Sequence, residues 1–391
     1  MICIILHNKS AEFEYYCTMT TTKIRFTNKD KTQFFNILKQ RVDNYFIENN
    51  ISQHANALMV FKTVFMLSLY FVPYALVMTN TLDVWGVWLC YIIMGFGLAG
   101  IGMSVMHDAN HGAYSSRPFI NQMISLSLTL VGGDNKNWKT QHNILHHTYT
   151  NIHGHDRDID NKVIMRFCPA GKYRKVQRFQ VFYVFVFYSV MTLYWTVAKD
   201  FIQYSQFIKE GHNRENKKDQ AITLLKLIFW KALYMTYMIV LPVIFLDVTW
   251  WQILLGFLFL HLVAGLILSI VFQLAHVVED TTFPLPDAKG NIENEWAIHQ
   301  LETTADFAKN NPLITFFVGG LNYQAIHHLF PRVCHVHYPA IAPIVEETAK
   351  EFGVPYLYNE TFMKAFVSHM RIISRLGKNE VSFSAVMNSM G

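Results

Sequence analysis

Four apolar stretches, arranged as two close pairs, constrain this chain more than any other feature. Ala57 to Met78 and Val84 to Met106 are separated only by Thr79 to Asp83; Thr223 to Leu246 and Thr249 to Ala275 are separated only by Asp247 and Val248. At about 1.5 Å of rise per residue, each stretch is long enough as a helix to cross a hydrocarbon core of ~30 Å. Connections this short send the chain straight back, so each pair is expected to form a helical hairpin in a bilayer. The composition agrees, with 52% apolar residues and 16% charged ones, where a soluble domain carries roughly 25% charged residues. A free soluble globule is excluded.

Two further apolar stretches are shorter. Phe119 to Val131 cannot span and is expected to be re-entrant or interfacial. Val181 to Val197, flanked by Arg178 and Lys199, competes with the four longer stretches, and parity decides against it. Histidine groups lie before and after the second pair, and if they share one site an even number of crossings separates them. Val181 to Val197 therefore reads as an interfacial helix. The expected fold is all-α: four transmembrane helices (about 57–78, 84–106, 223–246 and 249–275) in two hairpins. A helical cap formed by 107–222 and 276–391 holds the histidines, and 1–55 form an N-terminal segment.

The two hairpin loops contain no Lys or Arg, whereas Arg117 to Lys218 contains many. The positive-inside rule then puts both termini and every histidine group on the cytoplasmic side. The net charge of +5 gathers beside the apolar spans, which argues for membrane orientation and against nucleic-acid binding. Met1 to Leu6 lacks the basic region and apolar length of a signal peptide. Cys3, Cys17, Cys90, Cys168 and Cys334 form no C-x-x-C pair, so no disulfide framework or zinc ribbon is expected.

Among the 18 histidines, three groups and one outlier stand out: His107-Asp-Ala-Asn-His111, His142-Asn-Ile-Leu-His146-His147, Gln324-Ala-Ile-His327-His328, and His276 at the end of the fourth span. Residues four apart share a helix face, so His107 with His111, and His142 with His146, each present two imidazoles together. Eight such histidines are too many for one four-coordinate ion and suit two. A single H-x-x-x-H is ordinarily surface or core decoration; three groups beside apolar spans on one face are not. Asp156, Asp158 and Asp108 are candidates to fix the tautomers of these rings. His261, mid-span, reads as a neutral interhelical histidine. His7, His54, His212, His299 and His369 lack partners in the pattern and read as solvated surface residues, while His153, His155, His335 and His337 lie near the boxes without an assignment. The glycines of Gly95 to Gly102 read as close-packing positions, or as a tunnel wall.

With these boxes the sequence resembles the integral-membrane fatty-acyl desaturases. The stretches Asn137-Trp-Lys-Thr-Gln-His142, His146-His147-Thr-Tyr-Thr-Asn151, Phe272-Gln-Leu-Ala-His276 and Gly320-Leu-Asn-Tyr-Gln324-Ala-Ile-His327-His328-Leu-Phe-Pro331 are similar to the front-end subgroup, in which glutamine opens the third box. The resemblance implies a centre of two iron ions that uses dioxygen and two external electrons to desaturate an acyl-CoA or acyl-lipid chain. By that resemblance His107, His111, His142, His146, His147, His276, His327 and His328 are the metal ligands, and Gln324 is a weak or water-bridged one. Ile326 stands where the family commonly has glutamate.

The haem-binding His-Pro-Gly-Gly motif of fused cytochrome b5 domains does not occur in the sequence. A separate carrier of cytochrome b5 or ferredoxin type is therefore expected, docking on Arg157, Lys162, Arg166, Lys172, Arg174, Lys175 and Arg332. A membrane hydroxylase built on the same boxes is the nearest alternative. A histidine-rich metal transporter is more distant, because its ligands would line a path near the bilayer midplane.

Overall fold

The computed structural model describes residues 24–28, 32–159 and 164–381. Its long helices start where the sequence supplies a cap. After α1 (Phe34–Glu48), the Asn56 side chain accepts the Met59 amide at 3.1 Å and opens α2 (Ala57–Val77). Asp83 accepts the Gly86 amide at 2.8 Å and opens α3 (Val84–Gly100), which a π-helical turn (Ile101–Val105) carries on into Met106–His111. α4 (Pro118–Leu130) has 13 residues, too few to cross a bilayer. α5 (Asn135–Lys139) runs through a second π-helical turn (Thr140–His146) into His147–Tyr149. Three long helices follow: α6 (Lys175–Lys209), α7 (Lys217–Phe245) and α8 (Trp250–His276), the last opened by a capping box of Thr249 and Gln252.

Among the described residues five helices, α2, α3, α6, α7 and α8, are long and apolar enough to cross a membrane. Four were expected. The fifth is α6: the charged flanks Arg178 and Lys199 do not end the helix, which continues through them to a length of 35 residues. The chain is an integral-membrane protein. α3 lies between α2 and α8, and two glycines permit the approach: a Cβ on Gly97 would stand 2.7 Å from the Tyr70 amide nitrogen, and one on Gly95 2.7 Å from the Leu260 carbonyl oxygen. The two hairpin tips are joined by a reciprocal pair, Asn80 Nδ2 donating to Asp247 Oδ2 (2.7 Å) and the Asp247 amide to Asn80 Oδ1 (2.9 Å).

Among the described residues two short parallel strand pairs accompany the helices of the cap and amend the all-α expectation. β1 (Arg25–Phe26) pairs with β2 (Asn291–Ile292), and β3 (Ala305–Phe307) with β4 (Leu357–Asn359). Between and after them come α9 (Trp296–Thr303), α10 (Pro312–Phe317), α11 (Gln324–Leu329), α12 (Tyr338–Glu351) and α13 (Phe362–Gly377). β3 positions the third box: Asp306, fully buried, accepts the Ala325 amide at 2.9 Å at the start of α11 and takes the Tyr356 hydroxyl on its other oxygen. Both ends of α6 are tied to the loop after the second box. Gln180 Oε1 accepts the Arg166 amide at 2.8 Å, and Gln206 Oε1 accepts Arg157 Nη1 at 2.7 Å.

Candidate metal centre

The three boxes and His276 converge. His107, His111, His142 and His327 present ring nitrogens within 4.8 Å of one another, and His146, His276 and His328 form a second such group. His147 sits between the two, its Nε2 3.2 Å from His142 Nε2 and its ring 4.3 Å from that of His328. The first box clamps one group as the spacing predicts, since the His107 and His111 rings meet at 66° and converge. The second box does not. His142 and His146, on a π-helical turn, are stacked, 24° apart in plane and 5.3 Å apart in centroid, and fall in different groups. His327 and His328, adjacent in sequence and 87° apart in plane, divide the same way.

The donor set suits metal. Nε2 of His111, His146, His327 and His328 is buried without a hydrogen-bond partner, and such orphaned polar atoms are costly unless something fills the space they face. For three of these rings the opposite nitrogen is engaged. His146 Nδ1 is 3.0 Å from Asp156 Oδ2, His328 Nδ1 is 2.7 Å from Gln300 Oε1, and His327 Nδ1 is 3.2 Å from the Tyr338 hydroxyl. Burial first, then neighbouring histidines, hold His142, His147, His327 and His328 well below the ordinary 6.5. These imidazoles are neutral and offer lone pairs. At His146 burial opposes the charge, but the Asp156 carboxylate and its hydrogen bond outweigh it and raise the ring. Two clusters of imidazole donors fit two borderline cations. The Gln324 amide lies 2.9 Å from His276 Nε2, on the side of the second group.

The other expected positions divide. Asp156 meets His146 as anticipated. Asp158 instead accepts the Gln141 side-chain amide and donates its own backbone N–H to Asp156 (3.0 Å), one step removed from the rings. Asp108 Oδ1 is 3.9 Å from His107 Nδ1, and its other oxygen is 2.8 Å from His335 Nδ1. His299 and His369, read as solvated, are fully buried, because cap helices α9 and α13 turn them inward; His7 lies outside the described residues. Arg166 is buried too, bonded to the Leu376 and Pro169 carbonyls and Asn379, and so leaves the expected docking patch. Lys162 lies outside the described residues. Sequence reading missed Gln300, Tyr338 and Trp138, whose ring stands 4.5 Å from that of His142. Gln300 and Tyr338 have no spacing signal, whereas Trp138 stands four residues before His142, the same helical spacing that marks the boxes.

A cavity of 1610 Å³ opens on this centre at His107, His142 and Gln324. Its lining includes the apolar Leu98, Gly102 and Leu268 together with Thr192 and His261 from the long helices, and the charged Arg157, Glu210 and Arg214. Thus Gly102 walls the cavity while Gly95 and Gly97 pack helices. Within this lining His261 Nε2 is 3.1 Å from the Tyr234 hydroxyl and its Nδ1 3.2 Å from Thr192 Oγ1, an interhelical arrangement joining α6, α7 and α8.

A sequence profile described as fatty acid desaturase matches residues 82–359. Among curated proteins, the sn-1 linoleoyl-lipid 6-desaturase of Arthrospira platensis is 36% identical over 93% of this chain and 97% of its own length. The enzyme of the same description from Synechocystis sp. is 37% identical over 92% and 99%. The acyl-lipid (8-3)-desaturase of Physcomitrium patens is 35% identical over 91% of this chain and 74% of its own length. Membrane helices, converging histidine boxes and a profile match that encloses every box together identify the chain as a member of the fatty acid desaturase family.

Proposed function

We propose that the protein is a front-end acyl-lipid desaturase with two iron ions. His107, His111, His142 and His327 hold one ion, His146, His276 and His328 the other, and His147 lies between them; Gln324 completes the second position directly or through water. The observation that carries this reading is the convergence of eight histidines, seven of them buried and His111 half-buried, as a group of four, a group of three and His147 between them, beside a cavity with apolar lining. Bound iron would supply the oxygen-derived oxidant needed to break unactivated C–H bonds, which no side chain can do. In balance, CH2–CH2, dioxygen, two electrons and two protons give CH=CH and two waters. The chain's own residues position and exclude: Asp156, Gln300 and Tyr338 hold ring tautomers, Trp138 walls the first group, and the apolar lining keeps the acyl chain dry. The relatives named above are described as lipid-linked desaturases, which favours an acyl-lipid over an acyl-CoA substrate and a new double bond between an existing one and the carboxyl end.

Four spans in two hairpins are part of the proposal, with α6 lying along the interface. Two observations support it. The hairpin tips meet each other through Asn80 and Asp247, and both ends of α6 are tied to one loop, at Arg166 and Arg157. The same reading takes 56–391 as one desaturase unit, with 1–55 ahead of it, and places the centre and both termini on the cytoplasmic side. Electrons come from a separate acidic carrier of cytochrome b5 or ferredoxin type docking on the exposed Lys172, Arg174, Lys175 and Arg332. The test is metal content and oxygen use. Purified protein is expected to hold about two irons per chain, and His146→Ala to lose iron and product while still inserting in the membrane. Stoichiometric zinc in active protein contradicts the reading.

A further inference from the structure

Lys62 is a buried cation inside the first long helix, 2% exposed, and a charge placed there is costly unless it is partnered. Its partner is His335: Nζ lies 2.8 Å from His335 Nε2. An ammonium only donates, so His335 Nε2 accepts and its proton sits on Nδ1. That Nδ1–H donates to Asp108 Oδ2 at 2.8 Å, and the same oxygen takes the His335 backbone N–H at 3.1 Å. The other oxygen of Asp108, a residue 1% exposed and also in reach of the Cys334 thiol, stands 3.9 Å from His107 Nδ1. On the far side of that ring, His107 Nε2 is 3.2 Å from His142 Nε2, within the first histidine group.

The line from Lys62 to His107 is therefore directional: cation, neutral imidazole, carboxylate, ring. The fold makes room for it, since Gly320, at φ +69°, lies so near His335 that a Cβ there would stand 2.8 Å from the His335 Cβ. Asp108, Cys334 and His335 also come within 4.8 Å of one another. A third metal at that point is excluded because Lys62 already occupies the outward nitrogen of His335 and repels a second cation.

We propose that Lys62 and His335 are positioning residues that act through Asp108 on His107, and so govern one of the two metal positions while leaving the other intact. The inference rests on the ligand reading above. A fixed positive charge keeps His335 in one tautomer, His335 holds the carboxylate against box one, and the carboxylate favours the Nδ1–H form of His107, turning its Nε2 lone pair to the metal.

The experiment measures iron per chain and turnover in the full-length, membrane-inserted protein, for wild type and for Lys62→Met, His335→Phe, the pair combined, Lys62→Arg and His335→Asn. Iron is expected to fall about two-fold in Lys62→Met and in His335→Phe, with no further loss in the double variant. His335→Asn, which keeps an N–H for Asp108, and Lys62→Arg, which keeps the charge, are expected to retain both ions. Two irons per chain in Lys62→Met and His335→Phe overturn the proposal. So does joint loss of iron and folded protein in these variants that the conservative changes do not rescue, since that marks a scaffold role. A wild-type chain lacking two irons refutes the ligand reading instead, and the variants are then compared with wild type for loss of whatever metal it holds: an undiminished content overturns the relay as well.

Discussion

Each histidine at the centre has two nitrogens, and the one facing away decides how well the other serves. For His328 that outer partner is Gln300, buried and shared with the Thr150 hydroxyl at 2.8 Å. Gln300→Ala is expected to lower metal affinity or turnover by about 10- to 100-fold with the protein still inserted; unchanged iron binding and rate would show that the amide is a bystander. The boxes were legible in sequence because their spacing repeats a helical period, whereas Gln300 and Tyr338 come from elements far along the chain and carry no such mark. His299 and His369 were misread for the same reason, a lone histidine being ambiguous until its helix is packed. Burial lowers both to about 4, so the unfolded chain takes up protons first. Their contribution is complete above about pH 6.5 and is lost as pH falls through about 4, roughly 3 kcal/mol for each. Thermal unfolding in detergent should thus show a steep loss of stability across that window, shallower in His369→Gln; an identical slope in the variant would rule His369 out as a contributor.

At the scale of elements, hairpins were readable because an apolar run of fixed length, followed by a short polar break, leaves little choice in a bilayer. The π-helical turns at Ile101–Val105 and Thr140–His146 were not, since nothing in a residue pattern distinguishes one extra residue in a turn, although such turns often mark functional sites. Nor was the division of the second box between two groups: sharing a face does not fix whether two rings converge or stack. α6 shows a different limit. Hydropathy gives the length of an apolar helix and not its direction, and only the bonds at its two ends argue that it lies along the interface. Single cysteines at Arg178, Lys209 and Thr81, all exposed, probe this with an impermeant thiol reagent in sealed vesicles. Arg178→Cys and Lys209→Cys are expected to label from one face and Thr81→Cys from the other. Labelling of the first two from opposite faces would make α6 a fifth crossing.

Across the whole molecule, the centre lies at the ends of α3 and α8, beside α5, α9 and α11, and the cavity next to it is lined by apolar residues such as Leu98 and Leu268 and by charged ones such as Arg157, Glu210 and Arg214. That division matches a substrate with an oily chain and a polar carrier. Of the lining, His261 and Thr192 are hydrogen-bonded to each other and His261 also to Tyr234 behind it, so that polar groups among apolar helices satisfy one another. His261 lies 15 residues before His276 in one helix, a rise of about 22 Å. The central claim is that this architecture inserts a double bond on the carboxyl side of one already present. The most direct test is expression in a host of defined lipid composition, fed in parallel with a saturated and a di-unsaturated acyl chain, followed by mass-spectrometric location of new unsaturation. The account predicts a new double bond on the carboxyl side of the existing ones in the di-unsaturated chain, absent in His146→Ala. A hydroxylated product, or action confined to the saturated chain, would contradict it.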